Sequence, residues 1–189
     1  MPLTTTHAMV PIAAALACSA RRLPSRLLAA AVVAAAAPDG DALVQHVFRL
    51  ASSSVYAHRG ATHSLFAALA AGLVAALFHR QLKASPLAAG TAVAAAMASH
   101  GLLDMMTSSG RPVAYLWPLS SARLVADWRP IHSSPVHLAH FLAQALPRQA
   151  YEALHLIVPM FALALLVRWG RAALGRRPAM PLSSPASDG

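Results

Sequence analysis

Acidic side chains are scarce in this chain: six Asp and Glu stand against fifteen Lys and Arg in 189 residues. Only 11% of the residues are charged while 57% are hydrophobic, and mean hydropathy is +0.53. A soluble domain carries about a quarter of its residues as charges. That class is excluded and the membrane class remains. Cysteine is nearly absent. Cys18 stands alone, so no internal disulfide and no thiolate metal site can form. Aromatic residues make up 6% and do not interleave with the basic ones. The net charge of +9 is therefore not read as a nucleic-acid surface, and no nucleic-acid partner is expected. Also missing are a Gly-x-Ser-x-Gly elbow, a phosphate-binding glycine loop and a His-Glu-x-x-His pair. Serine-hydrolase, nucleotide-binding and zincin chemistries fall with them.

What is present is apolar and alanine-rich. Five runs stand out, at about 8–20, 23–37, 62–78, 86–106 and 153–169. A helical crossing needs roughly 20 residues. The last three runs meet that length and the first two are short. The expectation is an all-α polytopic membrane protein with about four to five transmembrane helices, forming one helical membrane domain over 1–177. A Pro/Ser-rich tail over 178–189 is read as disordered. A leader peptide ending before Pro38 would discard His7 and would place an apolar run inside its basic region, so it is not favoured.

Loop charge orients the runs. Arg21, Arg22 and Arg26 separate the first two, Arg80 and Lys83 the third and fourth, and Arg168, Arg171, Arg176 and Arg177 follow the fifth. With five alternating crossings all three clusters share one side, which the positive-inside rule makes cytoplasmic, the C-terminus included. His7, Asp39, Asp41, His58, His63 and Asp104 then gather at the opposite, outer end, with His100 one turn inside. Ionisable groups at membrane depth are costly and point to function. Residues 42–57 read as an amphipathic helix or loop on that side, and 107–150 as a longer segment that could cap the site. Glu152 marks the start of the last helix.

Three strings carry the chemistry. His100 and Asp104 are four apart on a helix and share one face. Such a pair can chelate one metal, or the carboxylate can orient a ligating imidazole, or the pair can simply tie helices together. Pro38-Asp39-Gly40-Asp41 puts two carboxylates where only a cation or a shared proton relieves their repulsion, although it is also a plain turn sequence. In His58-Arg59-Gly60-Ala61-Thr62-His63-Ser64, Thr62 is expected to cap a helix starting at His63. Gly60 permits a bend that brings both imidazoles to one point. Arg59 offers a fixed positive charge to an anionic substrate group. Thr6-His7 repeats the Thr-His helix start. Carboxylate and imidazole together form the ligand set of a hydrolytic metal centre.

Taken with Ser99-His100-x-Leu102-Leu103-Asp104, Thr107, Gly110, Trp117-Pro118-Leu119 and Trp128-Arg129-Pro130-Ile131, these strings resemble the YdjM-like family of inner-membrane proteins, described as membrane-bound metal-dependent hydrolases. The resemblance covers about residues 1–135. It implies a helical protein of the bacterial inner membrane with a divalent metal site. It also implies a distant similarity to the zinc-dependent phospholipase C and P1 nuclease group, all-helical enzymes that cleave phosphoesters. Gly40 departs from the apolar residue expected between the aspartates, and Ala42 stands where a His is expected.

The expectation that follows is a hydrolase. His7, Asp39, Asp41, His58, His63, His100 and Asp104 would bind one or two divalent cations, zinc first, with manganese or iron as alternatives. The metal would lower the pKa of a bound water toward ~7. Asp41 would orient that water or act as base, and Arg59 would hold the anionic group of a lipid, envelope or small-molecule phosphoester. The competing readings are a non-enzymatic structural or transport-related metal site, and a scaffold whose polar motifs only join helices.

Overall fold

The structure is a computed structural model that describes residues 3–18, 23–108, 111–131, 147 and 149–175. Arg21, Arg22, Arg176, Arg177 and the tail over 178–189 lie outside the described residues. Every regular element among the described residues is helical, and the two isolated β-bridges, Thr107 to Ile131 and Val113 to Leu124, only pin loops. Among the described residues the α-helices are α1 (Thr4–Cys18), α2 (Ser25–Ala36), α3 (Asp41–Val47), α4 (Leu65–Leu77), α5 (Pro86–Met105) and α6 (Val158–Gly175). A 3-10 turn, Ala37–Gly40, joins α2 to α3, another, Ala61–His63, precedes α4, and a π-turn, Ala153–Ile157, leads into α6.

Among the described residues three helical runs are long and apolar enough to cross a membrane: Ser25–Val47, Pro86–Met105 and Gln149–Leu174. Thr4–Cys18 and Leu65–Leu77 are shorter apolar helices. This redistributes the expected lengths. The run expected to stop near residue 37 continues through the 3-10 turn into α3, because Pro38 enters at the start of that turn, where no amide hydrogen is needed. The run expected over 62–78 shortens to thirteen residues. Thr62 does not cap it. The Ser64 hydroxyl accepts from the Ala67 amide at 3.0 Å, and the helix begins at Leu65.

The passes alternate in direction. The starts of α1, α4 and the last run meet the ends of α2 and α5 at one end, since Leu3 reaches Glu152, Thr4 reaches Asp39, and His63 reaches both His100 and Asp104. At the other end Arg26 donates to the Gln81 carbonyl at 3.3 Å, beside Arg80 and Lys83.

Packing is inside-out relative to a soluble bundle. The interior is small: Ala31, Ala34, Ala35, Ala75, Ala89 and Ala96 are buried with Leu27 and Val93. Large apolar side chains such as Phe66, Leu69, Leu73 and Leu77 on α4, and Leu163, Leu166 and Trp169 on α6, are exposed, as they are where lipid is the solvent. Without a hydrophobic force between helices, close approach of small residues does the packing. Gly72 and Gly90 bring α4 and α5 together: a Cβ at Gly72 would lie 2.7 Å from the Gly90 carbonyl oxygen and 2.7 Å from the Ala94 Cβ.

Candidate metal centre

Every buried polar or charged side chain among the described residues sits at the end where α1, α4 and the last run begin: Thr6, His7, Asp41, Arg59, His63, Ser64, His100, Asp104, Thr107 and Glu152. The loop over 49–64 folds onto that end by tight turns. Arg59 takes a left-handed φ of 67°, unusual for a residue other than glycine. Gly60 follows it with its Cα pressed against the preceding loop. A Cβ there would fall 2.0 Å from the Val55 carbonyl oxygen and 2.6 Å from that of Ala57. These are backbone atoms and cannot swing away. Gly60→Ala is therefore expected to cost about 3 kcal/mol and to lower the thermal unfolding midpoint in detergent. Gly40→Ala should be nearly silent, because Gly40 has φ −61° and open space around it.

The segments over 107–108 and 111–131 are laid across the same end. Ala114 N donates to Arg59 O at 3.0 Å, Leu65 N to Tyr115 O at 2.9 Å, and Ser108 N to Ile131 O at 2.7 Å. Arg123 donates to Arg59 O and to Ser54 O. The expected capping segment is thus tied down over 107–108 and 111–131, while 109–110 and 132–146 lie outside the described residues, His132, His137 and His140 with them.

The sequence-predicted residues converge. His7, His63 and His100 have no exposed surface on their side chains, and Asp104 has none either. His7 stacks on His100 with ring centroids 3.7 Å apart. His63 and His100 bring their Nε2 atoms to 3.1 Å. Asp104 Oδ2 is 3.4 Å from His63 Nε2, and Asp39 Oδ1 is 3.5 Å from His100 Nε2. Among the described residues three sets have ligand atoms close enough to share an ion: His7, Asp39 and His100; Asp39, His58 and His63; and His63, His100 and Asp104. Each set shares one residue with each of the others, so the three form one continuous site.

Tautomers decide what the facing imidazoles need. His100 Nδ1 lies 2.7 Å from the Ala35 carbonyl oxygen, which can only accept, so Nδ1 carries the hydrogen. His63 Nδ1 is 3.1 Å from Asp41 Oδ2, which again demands a hydrogen on Nδ1. In the neutral forms both Nε2 atoms then present lone pairs to each other at 3.1 Å. A proton or a cation must lie there. Burial works against a charged His63, but its contacts with Asp104 and Asp41 outweigh burial and raise its pKa to about 9.

The carboxylates divide by role. Asp41 is in none of the three sets. Its Oδ1 is 2.6 Å from His58 Nδ1, and its Oδ2 takes the Thr62 hydroxyl and His63 Nδ1. Both oxygens orient other residues, so the water-orienting position expected for Asp41 is taken up by two imidazoles and a hydroxyl. Asp39 Oδ2 accepts from Thr4 at 2.7 Å, while Oδ1 has no hydrogen-bond partner. Asp104 faces Arg59, whose Nε and terminal amine lie 3.0 and 3.2 Å from its two oxygens. Arg59 is itself buried and also donates to Arg111 O at 2.7 Å and Thr107 Oγ at 3.1 Å. The guanidinium expected to meet a substrate anion is thus spent on Asp104 and the capping segment.

The donor set fits a divalent cation. Buried polar groups are nearly always paired, yet both ring nitrogens of His7, Asp39 Oδ1 and Asp104 Oδ2 are buried without hydrogen-bond geometry to any partner. Three carboxylates, Asp39, Asp41 and Asp104, gather here with one guanidinium, that of Arg59, which meets Asp104. With neutral imidazoles that leaves a surplus of two negative charges, which one divalent ion cancels; the proton that His63 holds in the metal-free protein offsets one of them. Such a surplus cannot stay buried uncompensated. Glu152, Thr4 and Thr107 join the site without having been read as site residues in the sequence, where Glu152 only marked a helix start. Glu152 carried a signal, as one of six acidic residues and one placed at the start of an apolar run.

The family described as YdjM inner membrane protein matches residues 1–175. The chain is also similar to Inner membrane protein YbcI of Escherichia coli (strain K12), with 35% identity over 142 residues that cover 75% of this chain and 82% of that protein. No solved structure matches.

Proposed function

Because the chain belongs to the YdjM family of inner membrane proteins, we propose that it is an integral inner-membrane hydrolase built around a divalent metal centre, zinc by its His/Asp donors. The observation that carries this reading is the buried charge surplus beside four buried ligand atoms that make no hydrogen bond. His7, Asp39, His58, His63, His100 and Asp104 hold the metal. Asp41 fixes His58 and His63 through their Nδ1 atoms, leaving Nε2 to the centre, as carboxylates behind ligating histidines do. Arg59 holds Asp104 in place. A divalent ion bound there supplies a Lewis acid and a water of lowered pKa. His58 is the opening, since its side chain keeps 18% exposure where the others are closed.

The substrate class proposed is a phosphoester of a membrane or envelope molecule, a bond that a metal-activated water can attack. The site end faces the periplasm, with the basic ends and the C-terminus in the cytoplasm. A structural metal clamp is the alternative. Transport is disfavoured, because the packed interior beyond the site is Leu27, Val93 and alanines, with no buried polar side chain among the described residues.

Mass spectrometry of metal in protein purified in mild detergent tests the reading. Near-stoichiometric zinc, manganese or iron, followed by cleavage of phosphodiester lipid probes, supports it. Metal without cleavage leaves the structural clamp, and no metal even after reconstitution overturns the centre. Metal affinity should also climb with pH. Ligation needs a deprotonated His63, and the metal-free protein holds that proton up to about pH 9. One displaced proton gives about tenfold in affinity per pH unit up to that point, then a plateau. The metal-free protein shows the converse. A raised folded-state pKa stabilises it fully below the ordinary histidine value of 6.5, and that contribution is lost as pH rises through about 9. Thermal midpoints in chelator between pH 6 and 9.5 should fall accordingly.

A further inference from the structure

We propose that Glu152 is a positioning residue for the metal centre, setting His7 in place by clamping the first turn of α1 from the start of the last helical run. The inference rests on the metal reading above.

The first turn of α1 contains no acidic residue, so its free amides find no carboxylate of their own. Glu152 supplies one from 149 residues away. Its two oxygens lie 3.1 and 2.9 Å from the Leu3 amide, and Oε2 also accepts the Thr6 hydroxyl. A carboxylate at a helix N-terminus is favoured by the helix dipole, and this one is 1% exposed. The threonines ahead of His7 are engaged in turn. Thr4 donates to Asp39, Thr5 accepts from Gln149 at 3.1 Å, and Thr6 donates to Glu152.

His7 follows them, fully buried, and neither of its ring nitrogens has a hydrogen bond. A ligating histidine is ordinarily aimed by a partner on its second nitrogen. His7 has none, so its ring is placed by the backbone of α1 and by stacking on His100. Glu152 holds that backbone.

Cobalt binding to the full chain in detergent tests this, read by competition with a chelating dye and by the visible absorption of the bound ion. Glu152→Gln keeps the size but turns one acceptor into a donor facing the Leu3 amide. It should weaken cobalt binding about tenfold and alter the absorption spectrum. The double variant with His7→Ala should bind no more weakly than His7→Ala alone, because the two substitutions act through one ligand. Thr6→Val removes only a hydroxyl and should shift affinity the same way by less. The inference is overturned if Glu152→Gln lowers the melting temperature while the folded protein keeps wild-type affinity and spectrum, or if the losses add in the double variant. A wild type that takes up no cobalt overturns the metal reading as well. A wild type that binds it with an unchanged Glu152→Gln overturns this inference alone.

Discussion

His63→Ala is expected to purify with its metal reduced to background. His63 belongs to two of the three possible ligand sets. Its Nε2 lies within 3.1 Å of His100 and 3.4 Å of Asp104, and Asp41 fixes its tautomer from behind. Loss of a residue behind a ligand already costs about 10- to 100-fold in affinity, so loss of this ligand should cost about 100-fold or more. His46→Ala is the control, an exposed imidazole outside all three sets. Elemental analysis against protein concentration reads the result. Only the set of His7, Asp39 and His100 excludes His63. A residual ion in the variant would therefore report that set, and adding His7→Ala should remove it. Full retention of metal in His63→Ala would show that the centre does not pass through this residue.

The parts of the site that were legible in the sequence are those set by short spacing. His100 and Asp104 are four apart, and a helix puts them on one face whatever it packs against. The basic loops fixed which ends belong together, so the gathering of His7, Asp39, His63 and Asp104 followed from alternation alone. The partnerships were not legible, because they depend on how closely distant segments approach. Arg59 and Asp104 are 45 residues apart, and Leu3 and Glu152 are 149 apart. Nothing local distinguishes an arginine that meets a substrate from one that meets an aspartate across a loop. Asp41 and Asp39 look equivalent in Pro-Asp-Gly-Asp. The 3-10 turn and the start of α3 give them different neighbours, two imidazoles for one and an unsatisfied oxygen for the other. Helix lengths failed for a local reason. Pro38 reads as a stop, yet at the second position of a new turn, where its missing amide hydrogen is not needed, it interrupts nothing.

Arg59→Met should separate the two roles open to this arginine, and its effect on stability is the second large one. If Arg59 served a substrate, the variant would fold as the wild type does and only bind substrate less well. The geometry argues otherwise. Its fork meets both oxygens of Asp104, whose side chain has no exposed surface, and it ties Arg111 and Thr107 to the same point. Removing one partner of a buried ion pair costs about 3–5 kcal/mol, mostly because the other charge stays buried. Methionine fills much of the volume, so the loss reports charge rather than a cavity. The cost should depend on metal. In chelator Asp104 keeps only imidazoles for compensation, and the full loss appears. With zinc bound, the same carboxylate has a cation, and the loss should shrink by about half. Arg59→Lys should fall between, because an ammonium supplies the charge but not the fork. Thermal unfolding of wild type and both variants in detergent, each with excess zinc and with chelator, gives the comparison. Equal losses in the two conditions would mean that Arg59 and the metal do not share Asp104. A wild-type midpoint for Arg59→Met would return Arg59 to the substrate.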